Sequence, residues 1–199
     1  MSTAATRTRI AGHDALVLDN GLIRATVLPA LGGRVWTLED VQRGRQWIWH
    51  RPDVPLVACA PGAAYDDVWA GGWEELFPND AAGEFEGRTL PDHGEWWTMA
   101  WNVEVQESHR GLVATMTATS RVIRAACTKI ITVPHDRAEL EIAYIIESLE
   151  PAPFHFLFKQ HLPVALEPGC RLVLGQLHDR VGEGEGPLAQ KAVLAPFDG

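Results

Sequence analysis

Apolar and polar residues alternate with period two along much of this chain. Over residues 22–28, Ile23, Ala25 and Val27 fall on one side, and Leu22, Arg24 and Thr26 on the other. Residues 99–107 put Trp101, Val103 and Val105 on one face. Residues 111–120 set Leu112, Ala114, Met116 and Ala118 against Val113, Thr115, Thr117 and Thr119. Side chains of an extended chain point alternately to opposite faces, so this pattern predicts half-buried strands. Further strands are predicted over 15–19, 34–38, 46–50, 121–133, 138–147, 154–161 and 171–175. Asn20-Gly21 is a two-residue hairpin signal, and Pro134-His135-Asp136-Arg137 reads as a turn. Residues 1–9 are small and polar and are expected to fray. Pro52, Pro55 and Pro61 mark residues 51–67 as a long loop, and Gly71-Gly72 argues against a sustained helix over 66–76.

No segment carries an apolar stripe three helical turns long. Strands spaced by turns predict an all-β fold, a twisted antiparallel β-sandwich or a barrel. At 199 residues the chain is long enough for one domain with its own core. A single domain over 1–199 is expected, with its core within 10–178 and a loop or connection over 179–199. That loop-like ending leaves open a sandwich incomplete at its C-terminus. Strand edges exposed in that way invite pairing, and a homodimer covering an open edge is one remedy.

Five of the eight tryptophans, Trp69, Trp73, Trp96, Trp97 and Trp101, crowd into residues 69–101. Sugars present C–H faces that stack on indole and hydroxyls that need polar partners, so a cleft mixing Trp with Asn, Asp, Glu and Arg suits a carbohydrate. Core packing is the plain alternative, and Trp101, on an alternating strand face, belongs there. Trp96 and Trp97, adjacent on an extended segment, are expected to point in opposite directions. His93 sits in Pro91-Asp92-His93-Gly94-Glu95, where the glycine allows close backbone approach and Asp92 or Glu95 can fix the imidazole tautomer. An exposed turn histidine is the alternative. Period two over residues 154–161 places His155, Leu157, Lys159 and His161 on one side and Phe154, Phe156, Phe158 and Gln160 on the other. A face with three ionisable groups lines a cleft or meets solvent.

The formal net charge of −9 argues against a nucleic-acid partner, which selects for a surplus of Lys and Arg. No stretch approaches the ~20 apolar residues of a membrane span, and the N-terminus lacks the apolar run of a signal peptide. Three widely spaced cysteines, Cys59, Cys127 and Cys170, fit reduced thiols and a cytoplasmic location. No HxxxH, HExxH or CxxC spacing supports a metal. Neither a nucleotide-binding glycine fingerprint nor a nucleophile elbow is present.

Several pieces carry a resemblance. They are Asn20-Gly21-Leu22 through Leu28-Pro29, Gly32-Gly33-Arg34-Val35, the segment around GGWEELFPN with Asn79, Pro91-Asp92-His93-Gly94, and His161-Leu162-Pro163. Together the chain resembles the N-terminal part of a galactose mutarotase-like protein of the aldose 1-epimerase superfamily. The resemblance implies a large β-sandwich that interconverts the anomers of a free aldose without a cofactor. It implies His161 as the general acid on the ring oxygen and His93 as a second histidine that holds and polarises the same region. Arg88 stands loosely near the family's substrate arginine. Trp73, Asn79, Asp92, Glu95, Trp97 and Lys159 complete the expected sugar-binding set. The family's general base is a glutamate far toward the C-terminus, and no convincing equivalent follows His178. A non-catalytic carbohydrate-binding protein on the same fold is therefore the alternative.

Overall fold

The computed structural model describes residues 3–168, Cys170 and the backbone of 192–193. It is an antiparallel β-sandwich. One five-stranded sheet runs in chain order through β1 (Ala4–Ile10), β2 (His13–Asp19), β3 (Ile23–Leu28), β4 (Arg34–Asp40) and β5 (Arg45–Gln46). A loop containing the single-turn helix α1 (Tyr65–Val68) leads to β6 (Glu74–Leu76) and the small hairpin β7 (Gly83–Phe85) and β8 (Arg88–Leu90). The second sheet contains β9 (Asn102–Ser108), β10 (Gly111–Thr119), β11 (Ala125–Pro134) and β12 (Glu141–Ser148) as a meander. The short strand β13 (Lys159–His161) pairs with β6, and β14 (Ala192–Val193) lies beside β12.

The period-two rows meet where the pattern predicts. Leu16, Leu18, Ala25, Val27 and Val35 of the first sheet share one buried cluster with Ala114, Met116, Cys127, Ile131 and Ile142 of the second. Burying each large aliphatic side chain stabilises by roughly 1.5–3 kcal/mol. The Asn20 turn also ties the two sheets together. Its Oδ1 accepts from the N–H groups of Leu22 (2.9 Å) and Ile23 (2.8 Å), and its Nδ2 donates to the carbonyls of Pro134 (2.6 Å) and Arg137 (2.7 Å).

Four local expectations are corrected. Residues 4–10 are not frayed but form β1, in register with β2 from Ala4↔Asp19 to Ile10↔His13. The turn between them holds Ala11 at φ 48° and Gly12 at φ 86°, and Ala-Gly is not one of the dipeptides that announce such a turn. Trp96 and Trp97 lie in a 3-10 turn (Trp96–Thr98) and are both buried, so neither points outward. The strand expected over 121–133 begins at Ala125, because the Glu95 carboxylate holds the preceding bend by accepting from Ser120 Oγ and the N–H groups of Arg121 and Val122. Over 154–161 only the last three residues pair as a strand, yet the alternation holds. Phe154, Phe156 and Phe158 pack on the core, while His155, Leu157 and Lys159 are exposed. The strand expected over 171–175 lies outside the described residues. Among the described residues no helix is long and apolar enough to cross a membrane.

Candidate functional site

β6 and its partner β13 organise the site. Antiparallel pairing sets His161 opposite Glu74, Gln160 opposite Glu75 and Lys159 opposite Leu76, and directly opposed residues share a face. Glu74 and His161 therefore point one way and Glu75 the other. Both carboxylates are fully buried, which is rare unless each is paired. Glu75 faces the sandwich core. It accepts from Lys129 Nζ at 2.7 Å and Tyr144 Oη at 2.5 Å, and Lys129 also donates to the Gly33 carbonyl. Glu74 faces the opposite way, with its Oε2 2.6 Å from Nη2 of Arg34, itself buried.

Tyr65 is the centre of this second cluster. Its hydroxyl lies 2.6 Å from Glu74 Oε1 and 2.5 Å from Nδ1 of His161. Its ring stacks on His93 with centroids 4.0 Å apart and 12° between planes. Trp69 stacks on His161 at 4.6 Å, and Trp49, 40% exposed, lies 5.9 Å beyond Trp69. The two histidines expected to act together are thus gathered on one tyrosine, beside an aromatic wall made by Trp49 and Trp69.

His93 is held by its own turn. It adopts φ 57°, a left-handed conformation that costs an ordinary residue roughly 1–2 kcal/mol. The next residue, Gly94, lies at φ 73°, and a Cβ there would fall 2.1 Å from the Phe77 carbonyl oxygen. The Glu95 N–H bonds that same carbonyl at 2.8 Å. Packing against Phe77 therefore forces the turn that presents the imidazole. His93 Nδ1 lies 2.8 Å from Asp92 Oδ1, while Asp92 Oδ2 accepts the Tyr65 N–H at 2.8 Å.

The electrostatics follow from burial. Desolvation pushes the Glu74 carboxyl up to about 7, against the opposing pull of the Arg34 guanidinium and the Tyr65 hydroxyl. Burial moves the Tyr65 phenol up, and the Glu74 charge adds to it. Burial lowers the His161 imidazole, with smaller contributions in the same direction from Lys159 and His93. Burial alone would raise Asp92, but the Tyr65 N–H and His93 outweigh it and hold this carboxylate below its ordinary range.

The six other expected site residues have partners of their own. Trp73 is buried in the sandwich core, on the Glu75 side of β6. Trp97 packs behind Tyr65 rather than in a cleft, and its indole N–H donates to the Asp92 carbonyl. Glu95 is buried in the bend described above. Asn79 is buried with its Nδ2 donating to the carbonyls of Ala81 and Pro91, which braces the loop behind His93. Arg88 pairs with Glu150 at 2.7 Å and with the Val122 carbonyl. Lys159 lies on the exposed face beside His161, 2.8 Å from Asp80. Arg34, Tyr65, Glu74 and Trp49 were not expected as site residues, and Trp69 was expected only as one of the clustered tryptophans. The one signal that could have marked them is the pair of adjacent acids in an apolar setting, Trp73-Glu74-Glu75-Leu76-Phe77, after the Gly32-Gly33-Arg34 turn. Among the described residues, no group of three or more His, Cys, Asp and Glu side chains could hold a metal ion.

No family model matches the chain, and no curated protein matches it. Solved structures do. A galactose mutarotase-like protein from Clostridium acetobutylicum superposes with a TM-score of 0.55 at 14% identity, over 74% of this chain and 50% of that one. A TPR-domain containing protein from Parabacteroides distasonis gives 0.53 at 16% identity, over 67% of this chain and 21% of that one. The protein HI1317 gives 0.50 at 16% identity, over 75% and 53%. The chain spans about half or less of the length of each of these structures. At such identities the likeness is one of fold, and this β-sandwich resembles that of the galactose mutarotase-like protein.

Proposed function

We propose that this protein binds a free aldose and interconverts its α and β anomers by opening and reclosing the ring. The observation that carries the reading is the convergence of His93 and His161, far apart in sequence, on the ring and hydroxyl of Tyr65. The shared fold with a galactose mutarotase-like protein supports it. Opening a hemiacetal requires the anomeric hydroxyl to lose a proton and the ring oxygen to gain one. Imidazole suits such transfers near neutral pH, and general acid–base assistance is worth typically 10²–10⁴-fold. His161 serves as the acid on the ring oxygen, with Nε2 as its free nitrogen because Nδ1 is taken by Tyr65. His93 engages the anomeric end of the sugar. Trp49 and Trp69 offer the faces on which a pyranose C–H surface stacks, replacing Trp73 and Trp97 in that role. Lys159 and Asp80 line the exposed side and meet hydroxyls.

NMR of freshly dissolved α-glucose or α-galactose tests this reading. Catalytic amounts of protein should speed the approach to anomeric equilibrium, and His161→Gln should remove at least about 10²-fold of that acceleration. Exchange at the spontaneous rate with sugar-dependent shifts of the tryptophan signals would leave the binding-only alternative. Spontaneous exchange with no such shifts would overturn both.

A further inference from the structure

Glu74, Tyr65 and His161 form a chain of three ionisable groups that the anomerase reading does not by itself require. The two gaps in it are 2.6 Å and 2.5 Å, and each has room for one proton. Two proton arrangements satisfy the chain. In the first, the Glu74 carboxyl donates to Tyr65 Oη, the Tyr65 hydroxyl donates to His161 Nδ1, and His161 carries its own proton on Nε2. In the second, Tyr65 donates to a Glu74 carboxylate, His161 donates from Nδ1 to Tyr65 Oη, and Nε2 holds a lone pair. The arrangements differ by one proton delivered at Nε2 and one negative charge left on Glu74. Arg34, at 2.6 Å and buried, lies where that charge forms.

We propose that Glu74, acting through the Tyr65 hydroxyl, is the proton store that recharges His161 Nε2, while Asp92 holds His93 in the opposite state with Nε2 free to accept. This deepens the anomerase reading and rests on it for its substrate. It supplies both an acid and a base from described residues. During opening, the C1–O5 bond breaks as the C1 carbonyl forms. The ring oxygen takes the proton from His161 Nε2. Nδ1 takes the Tyr65 proton, and Tyr65 takes the Glu74 proton. The anomeric hydroxyl gives its proton to His93 Nε2, so His93 becomes imidazolium beside the Asp92 carboxylate. After rotation about C1–C2, the open-chain hydroxyl attacks the carbonyl, and each proton retraces its path. No oxidant, reductant or other co-reactant enters.

The surroundings fit this division. A carboxyl that must hold and release a proton near neutrality cannot be an ordinary solvated one, and full burial moves Glu74 in the required direction. Arg34 from β4 opposes that shift, and Glu75 from the adjacent position on β6 reinforces it. Lys159, His93, Asp80 and Asp66 are the other charged or titratable groups acting on His161. On the other side Asp92 is fixed by the Tyr65 N–H and remains ionised, so it orients the Nδ1 proton of His93. Glu74 and Tyr65 act through His161 and are positioning residues rather than catalytic ones.

The decisive experiment follows histidine tautomers by long-range ¹H–¹⁵N NMR of the full chain from pH 5 to 9, without sugar. The wild-type His161 signal should pass from a protonated-Nε2 tautomer to a protonated-Nδ1 tautomer as Glu74 ionises, while the neutral form of His93 should be the Nδ1-protonated tautomer that its contact with Asp92 selects. Tyr65→Phe removes only the relaying hydroxyl and leaves the Arg34–Glu74 pair in place, so it should fold and abolish the His161 switch. Glu74→Gln should abolish it too, but strands Arg34 and is the riskier protein. In the exchange assay Tyr65→Phe should lower kcat about 10²-fold or more, with KM within about threefold. A His161 tautomer that does not change with pH, or that still switches in Tyr65→Phe, overturns the relay. So does wild-type kcat in that variant. If the wild type neither binds nor anomerises an aldose, the sugar reading fails, and the NMR titration still decides the relay.

Discussion

Removing the amine of Lys129 should be far more damaging than removing the ion pair it belongs to. Lys129 occupies an inward position of β11, between Cys127 and Ile131, and is fully buried. Its ammonium bonds Glu75 Oε1 at 2.7 Å and the Gly33 carbonyl at 3.1 Å. Glu75 has one further donor on that oxygen, Tyr144, and its Oε2 has no hydrogen-bond partner among the described residues. Lys129→Met keeps the length and most of the volume of the side chain but leaves the carboxylate buried with one neutral donor. Breaking a buried pair in this way costs about 3–5 kcal/mol. For a chain of this size that corresponds to a fall in Tm of roughly 6–20 °C. Adding Glu75→Gln removes the stranded charge and keeps an acceptor for Tyr144, so the double variant should recover at least about 2 kcal/mol of the loss. Urea unfolding followed by tryptophan fluorescence at pH 7 measures all three proteins. A Lys129→Met cost below about 1 kcal/mol, or a double variant no better than the single one, would refute the placement of a stranded charge.

Three further outcomes are expected. Asn20→Ala should cost about 2–4 kcal/mol in urea unfolding, because it orphans two N–H groups and two carbonyls at a turn joining the sheets; Asn20→Asp should cost a comparable amount, since it keeps the acceptor but turns a charged oxygen toward two carbonyls. Gly94→Ala should destabilise by at least about 2 kcal/mol and displace the His93 NMR signals, because the added methyl meets the Phe77 carbonyl at 2.1 Å. The folded state holds the Glu74 proton up to about 7, whereas an unfolded carboxyl releases it near 4.5, so the folded state binds more protons and stability should fall as pH rises through that window; Glu74→Gln should flatten the slope in unfolding measured from pH 4 to 8, and an unchanged slope would remove Glu74 as its source.

The frame of the molecule was legible because its pattern is local. Leu112, Ala114, Met116 and Ala118 announce a half-buried strand without reference to any partner, and Asn20-Gly21 announces its turn. The aromatic alternation of residues 154–161 also reported faces correctly, even though most of that segment does not pair as a strand. The two histidines could be singled out, His93 by its glycine-flanked turn and His161 by its shared face with Lys159. Their setting could not. Glu74 and Glu75 occupy a three-residue strand, too short to show a period, and their partners Arg34, Tyr65 and Lys129 lie on three other elements. An adjacent pair of acids reads as solvated until those partners are known, because burial of each depends on a charge far away in sequence. The tryptophans misled for the opposite reason. Indole suits both a core and a sugar, so composition alone could not separate Trp73 and Trp97, which are buried, from Trp49 and Trp69, which form the wall beside His161.

The two buried carboxylates also tie the stability of the sandwich to the state of the site. Gly33 and Arg34 are consecutive, and each is held by one of the networks. Lys129, bound to Glu75, grips the Gly33 carbonyl, while the Arg34 side chain grips Glu74. This segment has little freedom to adjust. A Cβ at Gly33 would lie 2.9 Å from the Trp101 indole, and one at Gly32 would lie 2.4 Å from the Trp97 carbonyl oxygen. Release of Gly33 by Lys129→Met should therefore loosen Arg34 and alter the charge balance at Glu74, although Lys129 touches neither Tyr65 nor His161. Comparing the His161 tautomer titration in Lys129→Met with that in Asn20→Ala separates this specific route from general destabilisation. Lys129→Met should move the midpoint of the switch, and Asn20→Ala, whose contacts lie at a distant turn, should leave it in place. Equal midpoints in the two variants would show that the core network and the site are independent.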